Sequence, residues 1–142
     1  MAAYALVVAR FYGELAARLE AGARGVLEGA GEEVEAFAVE GAFELAPAAS
    51  YVVSGGRFAG VVCLGAVIRG ETDHYDHVCA ASAYGIQKLA IESGVPVTFG
   101  LLTVDTYEQA LARSGGDKRD SGAHAAQAAL ALARVRSQLD LS

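Results

Sequence analysis

A polar run in the middle of the sequence carries the strongest chemical signal. Residues 65–77 start at a glycine after an apolar run, contain Gly70 and lead into a long helical pattern. The first backbone N–H groups of a helix have no partner within it, and the helix dipole adds positive potential. Such a helix start binds phosphate. The run matches neither GxxxxGK[ST] nor GxGxxG, so it does not indicate a nucleotide.

His74 lies beside this predicted phosphate site. Imidazole exchanges protons near neutral pH, which suits general acid–base catalysis. A helix-capping or surface histidine is the alternative for this residue taken alone. His77 follows three residues later, but without a third ligand the pair does not indicate a metal site. His124, in the last helical segment, has no chemical context and is interpreted as structural.

Aromatic and charged residues follow other predicted elements. Phe11 and Phe43 could each stack on a flat heteroaromatic ring, although a lone Phe at a strand end more often belongs to the core. Glu44 is either a polar partner for such a ring or an ordinary acid of a first helical turn. Arg113, near a helix end, is either a bidentate phosphate ligand or a solvated cation.

Short apolar runs alternate with helical periods along the sequence. Strands are predicted over 5–9, 34–39, 60–68 and 97–104, and helices over 15–27, 43–53, 75–93, from Asp105 and over 121–139. Alternating apolar and acidic residues in 34–39 indicate an edge strand, whereas 60–68 and 97–104 indicate strands buried on both faces. Asp105 is predicted to cap the fourth helix, with Glu108 completing a capping box.

This alternation predicts a parallel sheet with helices on both faces. We expect a single domain over residues 1–142, an α/β/α sandwich with a four-stranded parallel sheet in flavodoxin-like order. Ligands of open parallel sheets bind beyond the carboxyl ends of the strands. The segments to inspect therefore follow the strands: 11–12, 41–44, 65–77 and 103–106.

Composition narrows the functional class. The chain is 54% apolar and 20% charged with a net charge of −6, which argues against disorder and against general binding of nucleic acid. The charge is uneven: residues 113–136 carry five basic side chains against two acidic ones, which indicates either a solvated helix face or a local anion site. Two cysteines without a CxxC pair, no leader pattern and no membrane-spanning apolar run indicate a reducing cytoplasm and no membrane.

The motifs resemble those of the lumazine synthase family. The resemblance is carried by LGAVIRGETDHY at 64–75, VTFGLLT at 97–103, and DTYEQA at 105–110 followed by Arg113, in matching order and spacing. It implies a step of riboflavin biosynthesis, in which 5-amino-6-(D-ribitylamino)uracil and 3,4-dihydroxy-2-butanone 4-phosphate give 6,7-dimethyl-8-ribityllumazine, phosphate and water. It implies no cofactor, no metal, and self-association as a homopentamer or larger assembly.

The resemblance also implies how the pyrimidine is bound. Phe11 stacks on the ring, and Phe99 of a neighbouring subunit closes the same pocket. The ring and ribityl pocket is lined by Ala42, Phe43, Glu44, Ala66, Val67 and Ile68.

The implied sugar phosphate site lies next to it. Glu71 and Thr72 hold the phosphate at the helix start, and Arg113 of the neighbouring subunit reaches the same anion. His74 is the implied catalytic proton donor and shuttle.

Two departures from the family pattern keep other functions open. Tyr12 stands where Asn is usual, and the basic residue common directly before the glycine of the last helix is absent before Gly122. Lys118 and Arg119 are alternatives for a second cation beside Arg113. The other functions are an archaeal-type riboflavin synthase and a non-catalytic lumazine- or flavin-binding assembly protein. A flavodoxin-like electron carrier fits the fold class but not the histidine and arginine context.

Overall fold

Strands and helices alternate along the residues that the computed structural model describes, which are 2–70, 74–115 and 118–141. The strands are β1 (Ala3–Ala9), β2 (Glu33–Val39), β3 (Gly60–Ile68) and β4 (Val97–Val104). The helices are α1 (Gly13–Gly29), α2 (Leu45–Gly55), α3 (Tyr75–Ser93), α4 (Tyr107–Arg113) and α5 (Ser121–Gln138), with a 3₁₀ turn at Ala42–Glu44 before α2. The predicted element order is confirmed.

The four strands form one parallel sheet in the order β2-β1-β3-β4. The predicted fold class is confirmed, and β2 is an edge strand as expected. The prediction that 97–104 is buried on both faces is only partly right, because β4 lies at the other edge. On the face covered by α3, its Val97 and Leu101 are buried while Phe99 and Thr103 are exposed.

Two hydrophobic cores lie on the two faces of the sheet. Leu6 and Val8 of β1 point to one core, which α1, α4 and α5 complete. Val7 of β1 and Cys63 of β3 point to the other, which α2 and α3 complete. None of the described helices combines the length and apolar character needed to cross a membrane.

The start of α4 differs from the prediction by one residue. Thr106, not Asp105, is the N-cap: its Oγ1 accepts from the Gln109 N–H at 3.1 Å. Gln109 Oε1 in turn accepts from the Asp105 N–H at 2.7 Å and the Thr106 N–H at 3.2 Å. Gln109 thus takes the role expected of Glu108. The Asp105 carboxylate is occupied elsewhere, accepting from Arg69 Nε at 3.0 Å.

Candidate functional site

An apolar recess of about 160 Å³ lies at the carboxyl ends of the strands. Its lining residues are Phe11, Tyr12, Gly41, Ala42, Phe43, Ala66, Val67 and Val78. Phe11 and Phe43 are 60% and 61% exposed, so each ring is open to a ligand. Small-molecule sites usually measure ~300 Å³ or more. The recess can therefore take a single flat ring, but only as part of a larger site.

Tyr12 and Gly41 lie in the segments after β1 and β2 that the sequence analysis singled out, although it gave them no binding role, and Val78 was not found by sequence reasoning. Tyr12 is edge-on to the Phe11 ring, with centroids 4.9 Å apart, and 6.4 Å from the ring of Tyr107. Val78 lies on α3 one turn beyond His74 and packs on the α2–α3 core. Its position four residues after a candidate catalytic histidine was the available signal. For Gly41, the available signal was its place directly after β2.

The 3₁₀ turn that carries Ala42 and Phe43 is fixed from two sides. The hydroxyl of Ser82, a buried residue of α3, donates to the Ala42 carbonyl at 3.1 Å. The Gly41 N–H donates to Glu44 Oε1 at 2.9 Å. Glu44 thus holds the turn itself, and it is not among the residues that line the recess.

Ile68 ends β3 but faces away from the recess. Its side chain is 1% exposed and belongs to the core with α1 and α5. Val67, before it, lies on the opposite face and lines the recess. Ile68 can therefore contact a ligand in the recess only through its backbone.

The exit from β3 turns sharply at Gly70. This glycine has φ +84°, a left-handed conformation that residues with a Cβ rarely adopt. The predicted phosphate ligands Glu71 and Thr72 follow directly, and both lie outside the described residues.

His74 is the N-cap residue of α3 and is exposed. Its carbonyl accepts from the Val78 N–H at 2.8 Å, so its backbone is part of the helix start. The His74 and His77 rings are 6.3 Å apart. Within the described part of the chain, no group of three or more His, Cys, Asp or Glu side chains could hold a metal ion.

Arg69 joins the ends of β3, β4 and α3. Its Nε donates to Asp105 after β4, and its guanidinium lies 4.3 Å from the centroid of the Tyr75 ring. A second carboxylate, that of Asp76, is 3.8 Å from Nη1. The hydrogen bond to Asp105 raises the pKa of Arg69 above its ordinary value. Arg69 therefore stays charged and links the end of β3 to Asp105 and to the first turn of α3.

A second concavity, of about 470 Å³, runs along the outer edge of β4 beside α5. It contains Phe99, Arg113, Arg119, Ser121 and His124. No aspartate or glutamate among the described residues lines it. His124 is exposed here. Two arginines and a histidine thus line one concavity that has no carboxylate among its described lining residues.

Arg113 is the last residue of α4, half-buried, and forms no ion pair with any residue in the described ranges. Arg18 of α1 contacts the chain on both sides of it. Arg18 Nε donates to Ser114 Oγ and its Nη2 donates to the Leu111 carbonyl, each at 3.0 Å. These hydrogen bonds hold the end of α4, while the Arg113 guanidinium makes no ion pair with the described residues.

Seven of the predicted site residues line the two cavities, in two separate groups. Phe11, Ala42, Phe43, Ala66 and Val67 lie at the recess, and Phe99 and Arg113 lie at the edge concavity. The two cavities share no lining residue.

The chain is similar to known proteins over nearly its whole length. Residues 2–137 match the family model of 6,7-dimethyl-8-ribityllumazine synthase. A protein of that name from Salinibacter ruber is 40% identical over 140 residues, covering 96% of this chain and 90% of its own. The Methylorubrum populi relative is 42% identical over 141 residues, with 96% and 83% covered. The Kineococcus radiotolerans relative is 49% identical over 129 residues, with 89% and 80% covered. These names do not favour a riboflavin synthase or a carrier protein.

Proposed function

This chain belongs to the 6,7-dimethyl-8-ribityllumazine synthase family, and on that premise we propose that it catalyses the lumazine-forming step of riboflavin biosynthesis. The substrates are the ribitylamino-pyrimidine and the butanone phosphate. The observation that carries the proposal is an aromatic recess together with a cationic concavity free of described carboxylates, one suited to each substrate.

The recess is proposed to bind the pyrimidine. Phe11 and Phe43 both offer open ring faces, and stacking gives contact area and orientation at once. The hydrogen bond from Ser82 to the Ala42 carbonyl keeps this wall of the recess in position before the ligand arrives. Such a preformed wall lowers the entropy lost on binding.

The edge concavity and the start of α3 are proposed to bind the sugar phosphate. A guanidinium matches phosphate oxygens in a bidentate geometry, and Arg113 has its donors available. Gly70 adopts a left-handed conformation at the exit from β3, and the two residues that follow it in sequence, Glu71 and Thr72, are proposed to hold the same phosphate.

The proposed chemistry is a sequence of additions and eliminations. The ring amine attacks the ketone, and one water leaves to give an imine. The proton at C3 of the sugar is removed and phosphate leaves C4 with the C–O bonding electrons, which gives an enol that tautomerises to a ketone. The ribitylamino nitrogen then attacks the remaining carbonyl, and a second water leaves as the ring closes. His74, exposed at the start of α3, is proposed to move protons in these steps. Holding both substrates in contact supplies most of the acceleration.

The complete site is proposed to form between two copies of the chain. One copy supplies the recess, and its neighbour supplies Phe99 and Arg113. The recess is too small for the whole ligand, and the two cavities share no lining residue. Pairing two different surfaces is a heterologous contact, and such contacts form a ring when the rotation between copies closes. We propose a homopentameric ring built from single domains of residues 1–142, located in the cytoplasm, where the two cysteines stay unpaired.

The test is formation of product by the purified protein. Incubation with both substrates should give lumazine fluorescence, and sedimentation should show a pentamer or a multiple of it. Lumazine supplied alone should remain unchanged. Conversion of lumazine alone would instead assign a riboflavin synthase, and no turnover of the two substrates together would refute the proposal.

The Arg113→Ala substitution tests the phosphate assignment. We expect KM for the sugar phosphate to rise about tenfold to a hundredfold, because a charge-assisted hydrogen bond is lost, with KM for the pyrimidine unchanged. A change confined to the pyrimidine would contradict the assignment.

A further inference from the structure

We infer that Arg119 is a second guanidinium of the phosphate-binding half-site and that Ser121 orients it; the inference rests on the function proposed above. Arg119 lines the same edge concavity as Arg113. Its Nε donates to Ser121 Oγ at 3.1 Å. Its two terminal nitrogens make no hydrogen bond with any other described side chain or carbonyl, so they are available to an anion.

Backbone hydrogen bonds hold Arg119 next to the end of α4. The N–H groups of Lys118 and Arg119 both donate to the Ala112 carbonyl, at 2.9 and 3.2 Å, and the Gly115 N–H donates to the Arg119 carbonyl at 3.0 Å. Gly115 has φ +94°, which allows this return of the chain. Arg119 is therefore anchored beside the helix turn that ends in Arg113.

The neighbouring charges distinguish Arg119 from the other cation of this segment. Lys118 is exposed but is not among the residues that line the concavity. The Asp120 carboxylate is engaged at the start of α5, accepting from the Ala123 N–H at 3.0 Å, and lies close to Gly22 of α1. It is likewise not among the lining residues. Arg119 thus faces the concavity with its charge unopposed by Asp120.

Two guanidiniums that line one concavity without a carboxylate among its described residues make a local excess of positive charge. A doubly charged phosphate ester satisfies both through charge-assisted hydrogen bonds. In a chain with net charge −6, such a local excess of positive charge also selects the phosphorylated substrate over neutral sugars.

The experiment compares Arg119→Gln with Lys118→Gln, which removes the same charge from the adjacent residue. In the assembled protein, Arg119→Gln should raise KM for the sugar phosphate about tenfold to a hundredfold and weaken competitive inhibition by inorganic phosphate by a similar factor. KM for the pyrimidine should not change, and Lys118→Gln should resemble the wild type. Arg119→Lys should recover part of the loss, because it restores charge but not the forked geometry.

Ser121→Ala provides a second, milder variant should Arg119→Gln not fold. It should raise the same KM by several-fold, because Arg119 loses its orienting hydroxyl. Equal effects of Arg119→Gln and Lys118→Gln, or wild-type behaviour of both Arg119→Gln and Ser121→Ala, would overturn the inference and leave the proposed function standing. If the wild type makes no lumazine yet binds inorganic phosphate in calorimetry, and Arg119→Gln abolishes that binding, the proposed function fails and the inference holds.

Discussion

Polar side chains around the site serve two different purposes. Glu44 and Asp105 accept hydrogen bonds that hold the backbone or a neighbouring arginine, and Arg18 is occupied by Ser114 and Leu111. Arg113 and His74 form no ion pair with the described residues and keep their polar atoms available. The residues proposed for chemistry are therefore the ones that the fold does not already use.

Replacing His74 tests its role in proton transfer. We expect His74→Ala to lower kcat by about 10²-fold, the usual contribution of a general acid–base group, because positioning of the substrates is retained. Single-turnover fluorescence gives the chemical rate. His77→Ala, one helical turn further, is the matched control and should retain the wild-type rate. Equal losses in both variants would contradict the assignment of His74.

Cys63 makes stability depend on alkaline pH. Burial raises the pKa of the Cys63 thiol from 9.0 to about 12. Above pH 9 the unfolded chain releases this proton while the folded chain keeps it, so the free energy of unfolding falls as pH rises from 9 towards 12. The loss should be about 1 kcal/mol at pH 10.

Urea unfolding between pH 8 and 10 measures this effect, with Cys63→Ala as the control. The variant should be less stable overall because it leaves a cavity, but its stability should fall less steeply with pH. If the free energy of unfolding falls equally steeply with pH in both proteins, the protonation of the Cys63 thiol does not differ between the folded and the unfolded state, and the prediction is wrong.

At the scale of elements, close packing of α1 against α5 places the edge concavity. A Cβ added to Gly122 would overlap the Leu19 carbonyl oxygen, a contact that cannot exist without moving a helix. Since α5 carries Ser121 and His124, any such shift displaces the lining of the concavity. The glycine therefore sets the distance between α1 and the helix that lines the concavity.

Gly122→Ala should lower the free energy of unfolding by about 1–3 kcal/mol, because the backbone of α1 or α5 must move. Gly25→Ala is the matched comparison: Gly25 lies inside α1, and its added Cβ would meet nothing within 4 Å. That substitution should raise stability by about 0.5–1 kcal/mol, since alanine favours the helix. Thermal unfolding of both variants measures these changes in stability. A more stable Gly122→Ala variant would contradict the close packing of α1 against α5.

On the scale of the whole molecule, the proposed site takes its two halves from different copies of the chain. The recess lies where strands in the middle of the sheet end, whereas the concavity follows the outer edge of β4. The exposed Phe99 side chain on that edge strand is the apolar contact proposed for a neighbour. A ring of copies would then join each recess to the concavity of the next chain.

Mixed assemblies test this arrangement. Phe11→Ala damages only the recess, and Arg113→Ala damages only the concavity. When the two are unfolded and assembled together in equal amounts, about a quarter of the interfaces should combine two intact halves and regain wild-type kinetics. Mixing without reassembly is the control. If co-assembly gives only the mean activity of the separate variants, each site must lie within a single copy.

Several features of this protein follow from the sequence alone. The order of strands and helices, the parallel sheet and the edge position of β2 were predicted correctly, because apolar periodicity and glycine stops are local properties of the chain. The aromatic residues after the strands were also identified, since the carboxyl ends of parallel strands collect such residues at one side of the sheet.

Other features were decided by the tertiary structure. The separation of Phe99 and Arg113 from the recess, the outward face of β4 and the engagement of Glu44 depend on elements distant in sequence. The choice of Arg119 over Lys118 as a lining residue does so too. The physical reason is that packing decides which partners lie within hydrogen-bond distance of a charged side chain. Those partners determine whether the side chain holds the fold or is available to a ligand, and the residue type alone does not specify them.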